Sequence, residues 1–345
     1  MEFLPNAPPI NVFAESGFPI SLKLENAGAF DIVENNKETS QIEGGIVVFG
    51  FEKAYIGLVS KIKEEVMKVS DEEKKILPGN GINIDEIKTL SNKNQEDLTN
   101  EERDKIQKFV DTLTNFRAKK EFNIKGKSIY SPLGDEEFIN VNARARTIGP
   151  QSETHPSAIF ATACYPYETV FGDSVCIDTD IIGESKGKVC TAKDLTFTKG
   201  QGAPVAVTKV ETRMLPQDDG KIKPHFLIHV KNAGNGEVID PGKIEVACKS
   251  EALDYRDFNT IIVSASLSGT QLRCSKDAGA VPGPVTIRLR EKEDLIRCTY
   301  DGKDDDKGGI DAGLDAYVAP LKVELDYGYT FTISKNIIIE KVLTH

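Results

Sequence analysis

The most constraining stretch of the chain is Phe18 to Gly28, FPISLKLENAG, because it returns as Pro224 to Gly234, PHFLIHVKNAG. In each copy apolar side chains recur at every second residue: Ile20, Leu22 and Leu24 in the first, Phe226, Ile228 and Val230 in the second. That alternation marks a half-buried strand. Both strands stop at the same tripeptide, Asn26-Ala27-Gly28 and Asn232-Ala233-Gly234. Asn and Gly accept positive φ at little steric cost, so the tripeptide reads as a turn. One β-unit is therefore written twice. Copies about 200 residues apart are too widely spaced for a solenoid, so they predict two tandem β-domains.

At 345 residues the chain is long enough to bury two cores. From about Lys53 to Glu121 Lys and Glu dominate, and apolar residues move to helical spacing: Ile62, Val66 and Val69 in one stripe, Ile106, Phe109, Val110, Leu113 and Phe116 in another. Ser70 with Glu73 and Thr99 with Glu102 read as capping boxes that start helices. The stretch 53–121 thus predicts a helical insertion in the first β-domain. Further on, Ser157 to Tyr165 and Asp173 to Asp178 read as an antiparallel pair joined through Pro166 to Gly172. Lys199-Gly200-Gln201-Gly202-Ala203-Pro204 reads as a linker, which divides the chain into 1–199 and 200–345. Beyond it, short apolar runs separated by turn signals point to a β-sandwich.

A formal net charge of −11, with no Lys/Arg cluster interleaved with aromatics, argues against nucleic acid as a partner. No apolar run approaches the roughly 20 residues of a membrane span, and no signal sequence leads the chain. Contact with a membrane is expected only through an anchor outside this sequence, as in a mature form or an excised ectodomain.

The six cysteines all follow residue 163 and form no CxxC pair, which disfavours a zinc or redox site built on local pairs. Three disulfides and an oxidising compartment are the expected reading. Six buried thiols in a cytosolic protein are the alternative. Cys274 and Cys298 close strands that read as neighbours, and Cys176 with Cys190 would staple a short loop. Cys164 and Cys248 are left to pair, with Cys164 to Cys176 as the competing arrangement.

Asp304, Asp306 and Asp315 fall at positions 1, 3 and 12 of a calcium-loop spacing, with Gly309 at position 6. Gly308 stands where a ligand is expected, so a solvated acidic turn is the simpler reading and calcium the sharper one. His225 and His229 share a strand face at a separation of about 13 Å, too far to share a metal. His155 sits in a loop before Pro156, and His345 is terminal. The pairs Tyr165 with Tyr167 and Tyr327 with Tyr329 read either as filling for a sheet face or as a platform for a sugar. The sequence contains no nucleophile elbow and no phosphate-binding loop, so no enzymatic activity and no resident cofactor are expected.

The strand ending on Asn-x-Gly resembles the CARDB-type immunoglobulin-like modules of bacterial and archaeal surface proteins. Longer stretches are similar to an uncharacterised group of membrane-anchored surface proteins from small-genome archaea: NAPPINVFAESGFPISLKLENAGAFDI, ATACYPYETVFGDSVCIDTD, GQGAPVAVTKVETRMLP, KNAGNGEVIDP and APLKVELDYGYTFTISKNI. The resemblance covers nearly the whole chain except the helical stretch. It implies an extracellular location, an N-terminal anchor outside this sequence, and no assigned catalysis. The expected fold is accordingly mostly β, two tandem immunoglobulin-like sandwiches with a helical insertion in the first. The expected role is an extracellular structural or adhesion protein, a filament or surface-assembly subunit associating with itself or with other surface proteins. A binding module for a glycan or another extracellular ligand is the alternative. The Pro-rich N-terminal arm and the apolar run Ile337-Ile338-Ile339 point to strand exchange between copies.

Overall fold

The computed structural model describes residues 1–32, 44–180, 187–198, 200–248, 253–275, 281–301, 308–313 and 315–342. The chain is mostly β. Its first strands are β1 (Glu2–Phe3), β2 (Asn11–Phe13), β3 (Gly17–Glu25), β4 (Gly45–Phe51) and β5 (Ile56–Gly57), followed by helices α1 (Ile62–Lys68), α2 (Asp71–Gly79), α3 (Ile84–Leu90) and α4 (Asn100–Ala118). Then come β6 (Lys119–Phe122), β7 (Glu136–Ala145), β8 (Thr154–Ile177), β9 (Leu195–Thr196), β10 (Val205–Pro216), β11 (Lys221–Asn232), β12 (Glu237–Ile239) and the short helix α5 (Ile244–Cys248). The last strands are β13 (Thr260–Leu267), β14 (Thr270–Gln271), β15 (Arg273–Ser275), β16 (Val281–Pro282), β17 (Val285–Arg288), β18 (Glu293–Thr299), β19 (Ile310–Asp311) and β20 (Tyr317–Glu340).

Two strands organise everything else. β8 and β20 are 24 residues each and pair antiparallel along their whole length, from Tyr317 opposite Ile177 to Glu340 opposite Thr154. At about 3.3 Å per residue this ladder is about 80 Å long. It forms the spine of a nine-stranded sheet. At one end β4 and then β6 extend the sheet beside β8, while β2 joins β20 in parallel, Asn11 opposite Ile338. At the other end β13, followed by β17 and β14, pairs with the N-terminal half of β20. A four-stranded sheet, β1-β3-β7-β5, accompanies the first end, and a seven-stranded sheet around β9-β10-β11-β18-β15-β16 accompanies the second. One hydrophobic cluster contains Ile20 and Leu22 of β3, Phe226 and Ile228 of β11, and Ile159, Ala161, Val323 and Leu325 of the spine.

The antiparallel pair expected from 157–165 and 173–178 is instead one continuous strand. The reason lies in residues 166–172, where Tyr167, Thr169 and Phe171 are buried and Glu168, Val170 and Gly172 point away. The period of two runs through the Pro and Gly without a break. Pro166 donates no backbone bond, but it stands just past Cys164, the last residue paired with β4, where among the described residues β8 has a strand neighbour on one side only. The division expected at 199–200 falls between β9 and β10. The sheets are continuous across the two ends of the molecule through β8 and β20, so residues 329–340 pair with 154–165 and with β2.

The helices lie between β5 and β6 and carry a core of their own, including Val66, Leu77, Ile87, Phe109 and Leu113. Both capping boxes form: Ser70 and Thr99 accept the N–H groups of Glu73 and Glu102, whose carboxylates return to the cap N–H groups. At the end of α4, Arg117 reaches Glu65 of α1 at 2.6 Å and Glu73 of α2 at 2.7 Å, and ties three helices together.

Candidate functional site

The repeated tripeptides make two matching turns. Asn26 Oδ1 accepts the Gly28 N–H at 3.1 Å while its Nδ2 donates to Phe30 O at 2.7 Å. Asn232 Oδ1 accepts the Gly234 N–H at 3.0 Å and its Nδ2 donates to Gly236 O at 3.0 Å. Neither tripeptide contains a positive φ, so the expected reason for glycine does not apply. The glycines answer to crowding instead. A Cβ on Gly28 would run into the hydroxyl of Tyr167, and one on Gly234 into the hydroxyl of Tyr329.

Those hydroxyls come from the middle of the spine. Tyr165 and Tyr167 of β8 lie opposite Tyr329 and Tyr327 of β20, so all four rings share one face, with centroids 5.8–6.4 Å apart between neighbours. The step of two positions along each strand relates Tyr165 to Tyr327 and Tyr167 to Tyr329, a local twofold pattern centred on Pro166 opposite Gly328. Tyr167 donates to Gly202 O at 3.1 Å, and Tyr329 Oη accepts from Gly236 N at 2.7 Å. Tyr327 Oη meets Thr169 Oγ1 at 3.0 Å and accepts from Val205 N at 3.2 Å. Burial pushes all four phenols above their usual range. Tyr327 and Tyr329 therefore fill a sheet face, while Tyr165 and Tyr167 border a cavity.

That cavity, about 330 Å³, opens beside the first turn. Its walls include Leu24, Ala27, Phe122, Tyr165, Pro204 and Phe331. The opposite face of the sheet is closed by α5: Ile244 and Cys248 pack with Ile46, Cys164 and Ile239, and a Cβ on Gly328 would run into Ile244 and Ile239. The junction is thus fixed from both sides.

The cysteines are brought together as Cys164–Cys248, Cys176–Cys190 and Cys274–Cys298, with Cα separations of 6.0, 5.9 and 4.0 Å. The first pins α5 to β8, and the last joins directly opposed residues of β15 and β18. Three disulfides fit an oxidising, extracellular type of environment. Asp304 and Asp306 lie outside the described residues, as does His345. Asp315 is exposed, and among the described residues no group of three or more His, Cys, Asp or Glu is placed to hold a metal. No helix among the described residues is long and apolar enough to cross a membrane.

His225 and His229 lie on the outer face of β11. His229 meets Glu211 at 3.0 Å within a surface network of Asp194, Lys209 and Arg213. Burial lowers the His225 imidazole below its usual range, and Lys223 and Arg297 push the same way. Sequence reasoning missed the environment of His155, which stacks on Tyr55 at 3.6 Å and meets Glu52 at 3.2 Å. Ser157 donates to that same Glu52 oxygen at 3.3 Å, so the carboxylate stands between serine and histidine. No protein-family profile matches the chain, and none of the curated proteins matches it significantly.

Proposed function

We propose that this chain is an extracellular structural or adhesion protein of the cell surface, a rigid element made of two immunoglobulin-like sandwiches that share their central strands. The pairing orders support the architecture. In the first unit β1-β3-β7-β5 stands against β2-β20-β8-β4-β6, with the N-terminal segment divided between the sheets: β1 antiparallel to β3, β2 parallel to β20. Immunoglobulin-like sandwiches are built from two such antiparallel sheets. The helices are then an insertion between two strands of this unit.

The observation that carries the role is the uninterrupted β8–β20 ladder. Tandem domains joined by a linker bend relative to one another, whereas two units threaded on one about 80 Å ladder hold a fixed axis. Rigidity of that kind, stapled by disulfides, suits a protein that spaces or links things outside a cell. The similarity to archaeal surface proteins points the same way. Immunogold labelling of thin sections of cells that make the protein is the direct test. Label on the outer surface is expected, and label confined to the cytoplasm would remove the reading. Electron microscopy of the purified chain separates single rods from filaments.

A further inference from the structure

β5 pairs with β7 through Ile56 opposite Ala145 and Gly57 opposite Arg144, and past Gly57 the chain turns away through Ser60 into α1. The space between β7 and α1 is a cavity of about 490 Å³, within the range of ligand pockets. Its β7 wall carries Asn140, Asn142 and Arg144, alternate residues on the outward face of the strand. Lys68 of α1, Arg117 of α4 and Lys120 of β6 line the same space.

The charge of this lining runs against that of the chain. It brings four cations to one carboxylate, Glu65, in a protein of formal net charge −11. Glu65 is already engaged: one oxygen accepts the N–H and the hydroxyl of Ser60, and the other accepts from Arg117. Three cations are therefore left without a neutralising group in the cavity. Lys68 reaches Glu64 at 3.9 Å, with both side chains more than half exposed, a pair of little worth. The side chains of Arg144 and Lys120, both half-buried, have no hydrogen-bond or ion-pair partner among the described residues, and neither do the amides of Asn140 and Asn142. A half-buried guanidinium with its donors free favours an incoming carboxylate, which it grips through two parallel bonds.

The row on β7 also sets the size of the ligand. Alternate residues of a strand lie about 6.6 Å apart, so Asn140, Asn142 and Arg144 span about 13 Å. A small inorganic ion meets one position of that row, whereas a short chain of sugar rings meets all three. Each amide offers a donor and an acceptor side by side, which suits hydroxyl groups, and the cations suit acid groups on the same chain. We propose that the cleft between β7 and α1 binds an acidic oligosaccharide, with one carboxylate on Arg144, hydroxyls on Asn140 and Asn142, and further acid groups facing Lys120 and Lys68. The site goes beyond the structural role proposed above and does not depend on it, since its binding is read in solution.

The test is calorimetric titration of the full chain with a trisaccharide of galacturonic acid, beside the neutral galactose trisaccharide and inorganic phosphate. Saturable one-to-one binding of the acidic trisaccharide is expected, weakened about tenfold as salt rises from about 0.05 to about 0.5 M, because the charges are partly exposed and screened. The neutral trisaccharide and phosphate should each bind about tenfold more weakly. Arg144→Gln and Lys120→Gln remove charges that hold nothing else in place, so each should melt with the parent and weaken binding about tenfold, the loss of one charge-assisted hydrogen bond. The comparison of ligands leaves the protein untouched, and decides the matter even where a variant loses stability. Absence of binding at millimolar acidic trisaccharide would overturn the proposal. So would equal binding of the neutral trisaccharide, equal binding of phosphate, or an affinity unchanged in both variants.

Discussion

Replacing Arg117 with methionine should cost the helical region more than any surface substitution in the molecule. Its guanidinium contacts Glu65 at 2.6 Å, Glu73 at 2.7 Å and Leu58 O at 3.1 Å. The two carboxylates are about nine-tenths buried, at 9% and 7% side-chain exposure. Burial pushes both carboxyls up, but hydrogen bonds from Ser60 and Arg117 to Glu65, and from Arg117 and Ser70 to Glu73, outweigh it and hold both below the usual range. Methionine fills a similar volume and removes the charge, leaving two buried anions without a cation. Breaking a buried pair from one side costs about 3–5 kcal/mol, and the 22% exposure of Arg117 places the loss near the lower figure. The assay is urea denaturation followed by ellipticity at 222 nm, with ΔG extrapolated to water. The pH dependence supplies a second reading with a definite sign. In the parent, carboxyls with depressed folded pKa values stabilise above their unfolded pKa, and this is lost as pH falls through the folded value. In the variant the carboxyls rise, so its stability is greatest below their unfolded pKa and is lost as pH climbs through the folded one. The gap between the two proteins should therefore narrow on acidification from pH 7 toward pH 4. A loss under about 1 kcal/mol, or a gap that widens in acid, would refute the account of Arg117 as the helices' counter-ion.

Gly28→Ala and Gly234→Ala should each destabilise by about 1–3 kcal/mol through overpacking against a tyrosine hydroxyl, and adding Tyr167→Phe should recover part of the first loss but none of the second, by thermal melts of the four variants. Replacing Cys176 and Cys190 by serine opens a closure between residues 14 apart and should cost about 3 kcal/mol in denaturant titration. In the same region Lys188, which bonds both oxygens of Asp178 at 2.9 and 3.1 Å and Asp180 O at 2.6 Å, should leave the loop open to proteolysis when changed to methionine. Deleting residues 1–13 uncovers the edge of β20 at Ile338 to Glu340 and should produce oligomers by light scattering, which added peptide 1–13 reverses; a monomeric truncated chain would count against strand exchange as an assembly route.

What the sequence made legible was whatever depends on neighbours along the chain. The alternation of Ile20, Leu22 and Leu24 reads directly as a buried strand face, and Ser70 with Glu73 reads as a helix start, because each signal closes within a few residues. Pro166 misled for the same reason: local chemistry makes proline a breaker, while its tolerance here depends on β4 having ended at Cys164. Glycine in the turns was read through φ, the local variable, when the cause is a tyrosine hydroxyl from a strand far away in sequence. The candidate site was the least legible part. Ala27 and Tyr165 are unremarkable residues in their own segments, and only the packing of the β3 sheet against β8 brings them to one cavity.

The internal repeat gives that cavity its meaning. A lone pocket beside a loop admits many explanations, since small voids and unpaired surface amides are common. Here the molecule contains its own control, a second turn with the same three residues, the same asparagine bonds and a tyrosine in the same relation. Every feature the turns share is accounted for by the requirements of ending a strand against a tyrosine ladder. They differ in the partners around them: Tyr167 donates to Gly202 O while Tyr329 Oη accepts the Gly236 N–H, and the second turn is held by the Pro204–Val205 peptide group.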